Sequence, residues 1–159
     1  MSYPLSKSKI LEVEPLCLRA SGLDISEIDI VKPSLTGALK LYVSNNSIET
    51  IENIGQFRSL EVFLISYNLI SCIEDLKPLT SLKYLKSLNL EGNPICYLSL
   101  YKAYVLYYCP NLEELDGVKI KKSSYYKKFP PSEINKIVKL ESTLLHSIVL
   151  SELLNSDFS

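Results

Sequence analysis

A chain of 159 residues fits a single domain, and a hydrophobic content of 47% is ample for a core. A formal charge of −1 excludes any global attraction to nucleic acid or to an anionic membrane. The longest wholly apolar run, Ala103 to Cys109, is far too short to span a bilayer, so no membrane partner is expected. Met1 to Glu14 carries Lys7, Lys9, Glu12 and Glu14 and has no apolar core of signal-peptide length, which makes an intracellular address the expectation. Cys17, Cys72, Cys96 and Cys109 form no CxxC pair and the sole histidine is His146, so neither a zinc site nor a disulfide framework is expected. Reduced thiols that act as small packing residues are the simpler reading.

In chain order, residues 1–12 read as an N-terminal segment, a short helix or an extra strand that covers the open end of a repeat array. From 13 to 120 one pattern recurs. Its copies are Val13-x-x-Leu16-x-Leu18-x-x-Ser21-x-Leu23, Ala38-x-x-Leu41-x-Val43-x-x-Asn46-x-Ile48, Leu60-x-x-Phe63-x-Ile65-x-x-Asn68-x-Ile70 and Leu85-x-x-Leu88-x-Leu90-x-x-Asn93-x-Ile95. Asn46 and Asn68 lie 22 residues apart, and Asn68 and Asn93 lie 25 apart. The alternation sends two apolar side chains to the same face of a short strand. The Asn sits where the chain turns, and its amide can both donate to and accept from backbone groups the turn leaves unpaired, so successive copies predict a buried ladder. A parallel neighbour needs a crossover, which this spacing allows, and one unit buries its apolar face only by stacking on the next. This is the leucine-rich-repeat pattern. It predicts an α/β right-handed solenoid with a curved parallel sheet on its concave face, helical or 3₁₀ turns on its convex face and a helical C-terminal cap.

Two repeats carry insertions. Leu23 to Ile30 alternates Ile with polar neighbours, and its convex path stays open. In Asp75 to Leu85, Leu76, Leu79, Leu82 and Leu85 recur every third residue, the spacing of 3₁₀ or α turns with one inward face, and Pro78 suits the first turn of such a segment. After Asn93-Pro94-Ile95, Tyr101, Tyr104, Val105 and Tyr108 recur at helical spacing until Pro110. Leu112-x-x-Leu115-Asp116-Gly117 then returns to half a repeat and closes the sheet.

Asn93-Pro94-Ile95, Tyr101-Lys102, Val105 and Pro110-x-Leu112-x-x-Leu115-Asp116-Gly117 together resemble the C-terminal cap of the 22-residue, protein-phosphatase-regulator class of leucine-rich repeats. Across about Leu16 to Ile120 the chain is similar to two families of that class: the spliceosomal A′ proteins and the acidic leucine-rich nuclear phosphoproteins. Axonemal and centriolar proteins share the cap. Lys102 departs from the Arg usual in the cap, and the acidic tail of the nuclear phosphoproteins has no counterpart here. The resemblance implies a protein-binding module, with RNA met only indirectly if the chain is A′-like.

Residues 121–131 read as a basic linker; Lys119 to Lys128 carries five lysines among tyrosines, a run that serves as a solvated linker or touches RNA. Ser132 and Glu133 then open an amphipathic helix over 132–157 with Ile134, Ile137, Val138, Leu144, Leu145, Ile148 and Leu153 at helical spacing, a stripe that Glu141 interrupts. It packs on the solenoid or engages a partner. Catalysis has no support: no nucleophile motif pairs with His146, and the five glycines form no phosphate loop, so no cofactor and no small-molecule substrate are expected. The strand positions between the inward residues point away from the core. Those in repeat one are Cys17, Arg19 and Ala20, and Glu114 and Asp116 continue the face into the cap. An apolar–aromatic patch of Tyr42, Val62, Leu64 and Tyr67 with Arg19, Lys40, Asn89 and Glu91 around it is the expected protein-binding site. The functional expectation is a non-enzymatic adaptor or scaffold. Its alternatives are an A′-like component of a nuclear ribonucleoprotein and a ciliary, centriolar or phosphatase-regulating adaptor, which places it in the nucleus, the cytoplasm or a basal body.

Overall fold

The computed structural model describes residues 3–5, 11–14, 16–98 and 100–121, together with positions 132, 136, 139, 140 and 143. Those five positions have helical backbone; otherwise the helix expected over 132–157, with His146, and the basic run beyond Lys121 lie outside the described residues.

The strands among the described residues are β1 (Tyr3–Pro4), β2 (Leu11–Glu14), β3 (Cys17–Arg19), β4 (Ile25–Glu27), β5 (Lys40–Tyr42), β6 (Val62–Leu64), β7 (Ser87–Asn89), β8 (Glu114–Leu115) and β9 (Val118–Lys119). Seven of them form one sheet in the order β2-β3-β5-β6-β7-β8-β9. The pairs from β3 to β8 are parallel, while β2 and β9 add antiparallel strands at the two ends. Strand β2, which runs two residues past the segment expected over 1–12, lies beside the first repeat. The N-terminal segment also sends β1 to pair in parallel with β4, so part of the open Leu23–Ile30 path becomes a second, two-stranded sheet.

Leu18, Leu41, Phe63, Leu88 and Leu115 stand in one register row and all are buried. That row corrects the first repeat, which runs two residues later than Val13, Leu16 and Leu18 imply. Leu16 is 51% exposed and left-handed at φ 74°, whereas Ala20 is fully buried in the core, so Ala20 leaves the concave set. The Asn ladder fixes the same register. Asn68 Oδ1 accepts from Ile48 N and Asn93 Oδ1 from Ile70 N, while their Nδ2 groups donate to Val43 O and Ile65 O of the preceding repeat. Asn46 does the same one repeat earlier, accepting from Ile25 N and donating to Ala20 O. Asn68 and Asn93 are the buried polar residues among those described, and each is satisfied by backbone.

The convex side is built from 3₁₀ segments at Glu52–Gln56, Glu74–Ser81 and Pro94–Tyr97. Leu76, Leu79, Leu82 and Leu85 all turn inward, as their spacing predicts. Pro78 sits inside the Glu74–Ser81 segment, not in its first turn; that segment ends with Leu82 N donating to Leu79 O. Helix α1 (Tyr101–Tyr108) closes the stack, with Tyr101, Tyr104, Val105 and Leu106 buried. The hairpin β8–β9 closes the sheet beside it. Asp116 joins the two: its carboxylate accepts from Leu90 N at 2.8 Å and from the Tyr101 hydroxyl. Asp116 thus belongs to the cap and not to a free concave surface. Burial, and next the bond to Asp116, push the Tyr101 hydroxyl well above the ordinary tyrosine range.

Candidate functional site

Two rows of side chains cross the concave sheet. Register places Arg19, Tyr42, Leu64 and Asn89 in one row, and Cys17, Lys40, Val62, Ser87 and Glu114 in the other. The inward residue between each pair is buried, so these rows occupy the opposite face of every strand. Tyr42, Val62, Leu64, Lys40 and Asn89 are half-buried, while Arg19 and Glu91 are exposed. Cys17, although in the Lys40 row, is buried where β2 runs alongside β3.

Contacts tie the rows together. The Arg19 guanidinium lies 4.5 Å from the centre of the Tyr42 ring, a cation–π contact that holds both side chains in place. Glu61 and Lys86 form an exposed ion pair at 2.9 Å where strands β6 and β7 begin. Ser87 donates to Glu114 at 3.3 Å, and the Ser66 hydroxyl donates to Ser44 at 2.9 Å.

Beyond the strand ends the backbone turns through a left-handed residue in each repeat: Gly22, Asn45, Tyr67 and Gly92, with φ between 54° and 74°. Gly and Asn take that conformation readily; Tyr does so at a cost of about 1–3 kcal/mol. Tyr67 is nevertheless there, 55% exposed, with its N–H donating to Glu91 O at 2.7 Å. Its ring passes over Gly92, where a Cβ would collide with Cδ1 of Tyr67, so Gly92 provides the room for the aromatic side chain as well as the turn. Asn89 Oδ1 accepts from Glu91 N and fixes the same corner.

The eight residues expected at the site therefore lie on one face or at its rim. Sequence reading did not reveal the Arg19–Tyr42 stack, the Ser44–Ser66 hydroxyl pair or the Glu61–Lys86 bridge. A scan for complementary residues one repeat apart would have found the last two. Among the described residues no group of His, Cys, Asp and Glu is arranged to hold a metal ion, and no helix is long and apolar enough to cross a membrane.

The leucine-rich-repeat family model matches residues 18–142, beginning at the Leu that opens the register row of the sheet. The chain belongs to the leucine-rich-repeat family. Among curated relatives it is similar to the U2 small nuclear ribonucleoprotein A′ of Homo sapiens, 34% identical over 63% of this chain and 42% of that protein. The mouse cilia- and flagella-associated protein 410 is 32% identical over 71% of this chain and 46% of that protein. The chain spans less than half the length of these relatives. A chain of the crystal structure of the Drosophila melanogaster SNF/U2A′ complex shares the fold at a TM-score of 0.51 and 22% identity, over 93% of this chain and 94% of that one. The fold of this leucine-rich-repeat chain is thus established.

Proposed function

We propose that this leucine-rich-repeat protein is a non-enzymatic adaptor that takes a protein partner on its concave face, centred on Tyr42 and Leu64. The observation that carries this reading is the continuous band from Arg19 through Tyr42, Val62 and Leu64 to Tyr67. It is half-exposed, aromatic and aliphatic, and rimmed by Lys40, Asn89 and Glu91. Solvent alone does not call for such side chains in neighbouring repeats, and an apolar centre within a polar rim is the anatomy of an interface. Tyr67 adds weight, because a bulky side chain is kept in a left-handed conformation that Gly or Asn would hold with less strain.

Likeness to U2 small nuclear ribonucleoprotein A′ over most of the repeat region favours a nuclear ribonucleoprotein setting, where the partner binds RNA and this chain meets RNA only through it. The ciliary relatives, among them the Trypanosoma brucei brucei dynein axonemal assembly factor 11 at 28% identity, favour a ciliary setting as the second reading. Localisation to nucleus or basal body separates the two.

Tyr42→Ala combined with Leu64→Glu tests the site. Truncating a central aromatic anchor weakens binding by about 2 kcal/mol or more. The double variant is expected to lose its partners in affinity purification with mass spectrometry while its melting temperature stays close to the parent's, because neither side chain belongs to the core. Recovery of the same partners by a folded variant would remove the concave face from consideration.

A further inference from the structure

We infer that the cleft between helix α1 and the hairpin β8–β9 is a second docking site, distinct from the concave face, for an acidic peptide segment with aliphatic anchors carried by a partner protein. The cleft has a volume of about 310 Å³ and is lined by Leu106, Leu115, Val118, Ile120, Lys102, Lys119 and Lys121. Leu106 and Leu115 form a buried aliphatic floor, and Val118 at its lip is 61% exposed. Lys102 and Lys119, both exposed, stand on the helix and on the hairpin that bound it. Among the described residues no acidic side chain lines the cleft, although the chain as a whole carries a formal charge of −1. The basic character is therefore local, and it surrounds an apolar hollow.

That combination selects the occupant. An aliphatic floor of this size accepts one or two Leu, Ile, Val or Met side chains, and carboxylates beside those anchors would meet the lysines. RNA is the poorer fit, because lysines alone would hold phosphates but among the described residues no aromatic ring lines the cleft for a base to stack on. Addition of a strand to β9 is also disfavoured: β9 has two residues and carries Lys119, the short and charged form of edge that resists pairing. Recognition therefore runs through side chains, with anchors inserted and acids outside.

The test uses the full chain and a fluorescein-labelled peptide of about 12 residues with two leucines one helical turn apart among Asp and Glu, followed by fluorescence anisotropy. Saturable binding that weakens with added salt is expected. Lys102→Glu with Lys119→Glu should weaken it by about tenfold or more, and Val118→Asp should do so separately. Tyr42→Ala with Leu64→Glu should leave it unchanged, which keeps this site's failure distinct from failure of the concave reading. Melting curves of the Lys102→Glu variant, altered only at an exposed side chain, guard against a folding artefact. No binding of the acidic peptide, equal binding of a peptide with Lys in place of Asp and Glu, or binding indifferent to both cleft variants overturns the proposal. So does capture of oligouridylate or phosphatidylserine vesicles by the same lysines when the peptide does not bind.

Discussion

At the scale of single residues, the repeat is defined by what each side chain satisfies. Asn46, Asn68 and Asn93 were legible because an amide at that spacing has one evident task, and each performs it for two adjacent repeats. The first repeat was less legible. Leu16-x-Leu18-x-Ala20 offers two overlapping registers, and the turn after it has Leu23 where the other repeats have Asn. A slip of two residues preserves the faces of a strand, so Arg19 keeps its side while Leu16 and Ala20 exchange roles. The cysteines differ for a reason the sequence does not carry, namely depth. Cys72 is exposed, whereas burial pushes the Cys109 thiol up to about 12. At mildly alkaline pH, iodoacetamide should label exposed Cys72 well before buried Cys109, since only the thiolate reacts. Peptide mapping checks this; comparable labelling of both in the native protein would contradict the burial of Cys109. The same shift has a stability consequence. As pH rises past the ordinary thiol range the unfolded chain ionises first, so the native state loses stability with increasing pH.

At the scale of elements, the cap is where local sequence and tertiary contact meet. Spacing predicted α1 and its buried face, because Tyr101, Tyr104 and Val105 follow a helical period. It did not predict that Asp116 would turn inward at φ 52° and serve both Leu90 N and the Tyr101 hydroxyl, since that bond joins residues from three separate elements. Strand β9 was also missed: two exposed residues after Gly117 carry no alternation to read. Leu115→Ala, which empties a buried site between α1 and the sheet, should lower unfolding free energy by about 2–5 kcal/mol. Tyr101→Phe keeps the ring and removes the hydroxyl's bonds to the Asp116 carboxylate and the Cys96 thiol, so about 1.5–3 kcal/mol is expected. Denaturant unfolding at neutral pH measures both. A Tyr101→Phe variant as stable as the parent would mean that Leu90 N alone satisfies Asp116 and that the hydroxyl is no part of the latch.

At the scale of the whole molecule, a solenoid is held by neighbours, and each repeat lends its neighbour both backbone partners and apolar cover. Strand β7 illustrates this. On one side it pairs with β6; on the other, Lys86 O accepts from Glu113 N and Glu114 N, and Leu88 O accepts from Asp116 N. Helix α1 meanwhile covers the convex segment at Glu74–Ser81, with Cys109 Sγ 3.8 Å from Leu79 O. Ending the chain after Ile95 would strip those carbonyls of partners and open Leu79, Leu82, Leu88 and Leu90, all buried in the intact protein, to solvent. Repeats that remain cannot supply the loss, because none of them touches that end of the sheet. The fragment 1–95 should therefore be insoluble, or should unfold at a lower temperature and without a single cooperative transition. Circular dichroism melting beside sedimentation velocity distinguishes these outcomes. A soluble monomeric fragment with the parent's melting temperature would show that the first repeats and their N-terminal strands stand alone, and that α1 with its hairpin is an appendage whose surfaces, the lysine-rimmed cleft included, serve binding without supporting the fold.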